Sequence, residues 1–136
     1  MNNVEGIQIT NFPVEGYEPL VDYKSWRVAV LKYCEDVLPD HIKTMQKHME
    51  TDEVFVLVSG NCTLIEAGAD ECPGELKFVK LEPNKVYNVK RGVWHNHVLD
   101  EEGAVVIVEN QDTTDDNSPI LPISAEQMQQ IQEHFA

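Results

Sequence analysis

Basic residues are scarce: 10 lysines and arginines stand against 24 aspartates and glutamates, a formal charge of −14 over 136 residues. Such a field repels nucleic-acid phosphates and the anionic surface of a membrane, so neither is expected as a partner. The acidity is spread along the chain, reads first as a solvated surface, and names no function by itself. Long apolar runs are also missing. No stretch reaches bilayer-spanning length, and the opening Met-Asn-Asn-Val-Glu-Gly lacks a basic segment followed by an apolar one, so a cytoplasmic location is expected. Cysteine is sparse and odd in number: Cys34, Cys62 and Cys72 form no CxxC pair and no zinc-ribbon spacing, which points to reduced, structural thiols. Sustained helical periodicity is absent before residue 124.

What is present is strand chemistry. A hydrophobic share of 42% and a charged share of 25% suit one packed domain spanning residues 1–136. Residues 1–24 are rich in turn formers and read as an arm with edge strands. The run WRVAVLKY from Trp26 is β-branched and aromatic, and Pro39 closes it. Short apolar segments then recur at 42–48, 53–58, 62–67, 76–81, 86–89, 93–99 and 104–109. The breaks between them, such as Ser-Gly-Asn and Glu-Glu-Gly, have hairpin-turn composition. Many short strands so punctuated predict an all-β sandwich or barrel over 26–109. The segment 111–119 (QDTTDDNSP) reads as a solvated acidic loop. Ser124 and Gln127 then resemble a capping box for a helix over 124–135, with Met128, Ile131 and Phe135 on one apolar face.

Two stretches carry candidate chemistry. In QKHMETDEVFVLVSG, residues 46–60, strand alternation puts Gln46 and His48 on one face, and a tight turn at 50–52 brings Glu53 beside His48 on the neighbouring strand. In NKVYNVKRGVWHNHV, residues 84–98, Gly92 permits the left-handed turn that aims His95 and His97 to one side. Trp94 alternates with them and should face away. His41 and His134 fall outside this pattern.

These stretches resemble the two motifs of the cupins. His48, Glu53 and Gly60 match the second histidine, glutamate and glycine of the first motif, and Gly92 and His95 match the second. Gln46 stands in place of the first histidine, the interval from His48 to Glu53 is one residue longer than the family's, Asn84 and Lys90 replace a glycine and a proline, and Leu99 replaces an asparagine. The resemblance implies a cupin-type jelly-roll β-barrel and a homodimer, for which the N-terminal arm is the natural contact. More locally, RGVWHNHVLD, residues 91–100, is similar to a segment of ureidoglycolate lyases, cupin-like enzymes that release urea and glyoxylate.

Two imidazoles and a carboxylate suit a divalent transition metal such as Fe, Mn, Ni or Zn, with open positions for a ligand. The expected ligands are His48, Glu53 and His95, with Gln46 as a weaker amide donor. His97 and Glu53 are the candidate acid–base groups. Taken singly, His48 also reads as a solvated strand-end histidine, Glu53 as an exposed carboxylate and His97 as a hydrogen-bonded interior ring. Arg91 could hold a substrate carboxylate or be solvated. Two functions follow: an enzyme acting on a small polar or carboxylate-bearing metabolite, or a non-catalytic binding or sensor module.

Overall fold

Apolar alternation bounded by turn formers becomes strand almost wherever the sequence indicates it, in a computed structural model that describes residues 3–136. A small hairpin of β1 (Asn3–Val4) and β2 (Ile7–Gln8) precedes the main body. The strands that follow are β3 (Gly16–Tyr23), β4 (Trp26–Lys32), β5 (Thr44–Gln46), β6 (Glu53–Ser59) and β7 (Cys62–Glu66). Then come β8 (Lys77–Lys80), β9 (Tyr87–Val89), β10 (His95–Leu99), β11 (Ala104–Asn110) and β12 (Ile120–Pro122). One helix, α1 (Ala125–His134), ends the chain.

All pairings among the described residues are antiparallel, and β3 to β12 make two five-stranded sheets, ordered β12-β5-β10-β7-β8 and β3-β4-β11-β6-β9. The expected all-β jelly roll with one C-terminal helix is what forms. Its inner faces share a core in which Ala29, Leu31, Phe55, Leu57, Leu64 and Ile107 meet. Proline has no N–H for a ladder, so Pro19 fits β3 because that strand lies at a sheet edge.

The two sheets differ on their outer faces. α1 covers the first: Ile131 packs with Met45, Ile65, Trp94 and Val98 in a second core. Ser124 caps the helix, its hydroxyl accepting from Gln127 N while the Gln127 side chain accepts from Ser124 N, which is the capping box legible in the sequence. Trp94 does face away from the barrel interior, and its indole donates to the Asp70 carbonyl at 2.7 Å. The second sheet turns a row of valines outward, with no helix over them among the described residues.

Two expectations need correction. β5 and β6 are not a hairpin pair: β5 pairs with β10 and β12, and β6 with β11 and β9, so residues 47–52 cross from one sheet to the other. The acidic segment after β11 is not merely solvated. Asp115–Asn117 form a 3-10 turn capped by Thr114, and Ser118 is only 1% exposed. β3 and β12 occupy edges of the two sheets.

Candidate metal centre

The inward face of β6 reads Leu57, Phe55, Glu53 from the middle of the barrel towards one end, so the carboxylate is where the apolar core stops. β10 delivers His95 from the opposite sheet. Its register puts His95 across from Gln46 of β5, two residues before His48. The crossing at 47–52 carries the chain past this end, and Gly92 N donates to the His48 carbonyl at 2.8 Å. Gly92 has a φ of +82°, the left-handed turn foreseen for it.

His48, Glu53 and His95 are therefore brought together, each at most 9% exposed, with one ligand atom from each within 4.8 Å of the others. Glu53 Oε1 lies 3.1 Å from His48 Nε2 and 2.8 Å from His95 Nε2. The outer ring nitrogens are anchored as well: His48 Nδ1 is 2.7 Å from Ser118 Oγ, and His95 Nδ1 is 2.9 Å from the Val93 carbonyl. A carbonyl only accepts, so Nδ1 of His95 carries a proton. Nε2 then meets the carboxylate either as a second N–H or as a bare lone pair that shares a cation with it. Donors bonded to one ion at about 2.1 Å and at right angles stand about 3.0 Å apart, so both contacts have the spacing of adjacent ligands.

Without an ion, protons hold the cluster together. Burial disfavours charge on both Glu53 and His95, but the hydrogen bonds outweigh it. Those from His48 and His95 hold the Glu53 carboxyl well below the usual carboxylate range, and Glu53 raises His95 above the ordinary imidazole value.

The triad lies at one end of a cavity of about 370 Å³ that also exposes Gln46, His97, Arg27 and Tyr17. Gln46 has its amide nitrogen on the 111–118 loop, 3.1 Å from the Ser118 carbonyl and 3.2 Å from Asp115 Oδ1. His97 is different: its Nδ1 is buried with no hydrogen-bond partner among the described residues, and desolvation pulls the ring down to about 4, so it is neutral near pH 7. The Arg91 side chain is exposed, and its backbone N–H donates to Asp52 Oδ1 at 2.8 Å. His41 is exposed, and His134 stacks on Phe78 at 3.9 Å, far from this chemistry in both sequence and packing.

Four cavity residues escaped the sequence reading. Glu109 of β11 is 6% exposed, and its Oε2 accepts from Tyr17 Oη at 2.8 Å and lies 3.6 Å from Arg27 Nη1. Burial, with Glu53 beside it, pushes the Glu109 carboxyl up to about 7. Among the described residues Arg27 is the sole lysine or arginine lining the cavity, and Asp22 holds its Nε at 2.9 Å. The fourth is Ser118. Glu109 did leave a signal, because it continues the inward alternation of Val105 and Ile107. Ser118, embedded in turn-forming residues, left none.

No family model and no curated protein matches this sequence. Solved structures do share its fold. A cupin-2 domain protein from Shewanella frigidimarina is 22% identical over 71% of this chain and 83% of its own, with a TM-score of 0.49. A variant of Streptomyces PAC13, solved with uridine, is 10% identical over 89% of this chain and 97% of its own, at 0.55. KdgF from Halomonas is 12% identical over 73% and 80%, at 0.50.

Proposed function

Taking the cupin fold as its starting point, we propose that this protein is a divalent transition-metal cupin that binds a small, polar, carboxylate-bearing metabolite and acts on it. The observation that supports this most directly is the convergence of His48 Nε2 and His95 Nε2 on one oxygen of a buried Glu53. His48, Glu53 and His95 would hold the ion, which when bound would supply a Lewis acid. The protein's own groups supply the rest. Arg27 offers the cavity a guanidinium for a substrate carboxylate, and His97, which desolvation keeps neutral, offers a ring nitrogen for hydrogen bonding to the ligand in place of strong base catalysis. Gln46 is retained as a further, weaker amide donor.

Elemental analysis of protein purified without a histidine tag tests the reading. A stoichiometric transition metal is expected, lost in His48→Ala and His95→Ala. Absence of metal after reconstitution with Fe, Mn, Ni and Zn would refute it. Elimination of urea from ureidoglycolate is one version of the activity, suggested by residues 91–100, and no urea release by the metal-loaded protein would end that version. If metal binds and no turnover is found, the same geometry serves the alternative, a non-catalytic module that holds a small ligand. A homodimer completes the proposal, on the strength of the exposed Val21, Val58 and Val108 of the second sheet and of Ile7, Phe12 and Val14, which stand exposed on the arm.

A further inference from the structure

We propose that Glu109 is a fourth protein ligand of the metal centre, making it a two-histidine, two-carboxylate site. This rests on the metal-binding reading above and adds a residue that the motif spacing does not contain. β11 and β6 pair Val108 with Val54, so Glu109 and Glu53 are the next residues along two adjacent strands, and both are buried facing the same cavity.

Like charges side by side on a sheet face destabilise it, and more so out of water. Tyr17 and Arg27 both approach Oε2, and Glu53 lies beside the same carboxyl. Arg27 is moreover shared with Asp22, its closer carboxylate at 2.9 Å against 3.6 Å. A divalent cation between the two glutamates balances both charges. Tyr17 then orients the second carboxylate from behind, as outer-shell hydrogen bonds do for metal ligands. The competing donor, Gln46, is a neutral amide whose nitrogen is held by the Ser118 carbonyl and the Asp115 carboxylate, and its oxygen is a weaker ligand than a carboxylate. Two neutral imidazoles, two carboxylates and a divalent ion sum to zero, so the positive charge of Arg27 is left over to attract an anionic ligand.

The test is titration of the metal-free, full-length protein with Co²⁺, read by calorimetry and by the visible ligand-field spectrum. Glu109→Gln is expected to weaken Co²⁺ binding at least about tenfold and to shift the bands, a larger effect than that of Gln46→Ala. Glu109→Asp, which keeps the charge and withdraws the carboxylate by one methylene, gives the same direction of change should the glutamine variant fail to fold. Unchanged affinity in these variants, or weaker affinity with the bands unmoved, overturns the proposal, since charge alone then explains the effect. A larger loss in Gln46→Ala than in Glu109→Gln overturns it as well. If the unmodified protein takes up no Co²⁺, the metal reading itself falls and the fourth ligand with it. Co²⁺ uptake that His95→Ala abolishes and Glu109→Gln leaves intact removes only the fourth ligand.

Discussion

Ser118 is a small residue with a large positional effect. Its hydroxyl touches His48 Nδ1 at 2.7 Å and fixes the ring that must present Nε2 to Glu53. Ser118→Ala is expected to weaken metal binding by about tenfold or more while leaving the fold intact, measurable as a change in Kd by calorimetry. The two motif glycines separate in the same way. A Cβ on Gly60, at φ +62°, would lie 2.3 Å from the Glu102 carbonyl carbon, in backbone that cannot step aside. At Gly92, φ +82°, a Cβ meets nothing within 4 Å. Gly92→Ala should therefore cost only the left-handed strain, about 1–2 kcal/mol, and Gly60→Ala clearly more in chemical denaturation. Equal costs would mean that the Glu102 backbone yields.

At the scale of elements, the turn between β10 and β11 is pinned by Asp100, whose two oxygens accept from Asn61 N at 3.0 Å and Asn61 Nδ2 at 2.7 Å. Burial works against the charged form, but these bonds outweigh it and hold the carboxyl below its usual value. A depressed folded value means that the contribution is complete above the unfolded value of about 4 and fades as pH falls through the folded one. Asp100→Asn should thus lower the denaturant midpoint at pH 7 and lose that effect in acid. A difference of the same size at both pH values would show that the charge is not what matters.

The strands and both glycine turns were legible because alternation and φ > 0 are local properties of a sequence. The joint spacing of His48, Glu53 and His95 was legible for the same reason. How the chain travels between His48 and Glu53 was not, since a five-residue step serves a hairpin and a sheet crossing alike. Tyr17 and Arg27 were invisible as site residues because they come from the far side of the second sheet, where only tertiary packing aligns β3 and β4 with the cavity.

Over the whole molecule the asymmetry between the sheets is the main consequence of the sequence. α1 covers one outer face, while on the other Val108 is 36% exposed and Val21 37%, with Trp26 and Tyr23 beside them at 43% and 55% and Val58, 50% exposed, farther along β6. Exposed apolar side chains of this kind are where a second copy would bury surface. Val108→Lys, which puts a charge among them, is expected to shift sedimentation from dimer towards monomer without lowering the monomer's stability. A wild type that sediments as a monomer at every concentration would discard the dimer.

The crossing at residues 47–52 has one more effect. His48 follows β5 and His95 sits on β10, both belonging to one sheet, whereas Glu53 and Glu109 belong to the other. An ion seated among them would act as a clasp across the open mouth of the sandwich, joining strands that belong to different hydrogen-bonded sheets. Opening the sheets would then mean releasing the ion, so that tightness of folding at this end and occupancy of the site would rise and fall together.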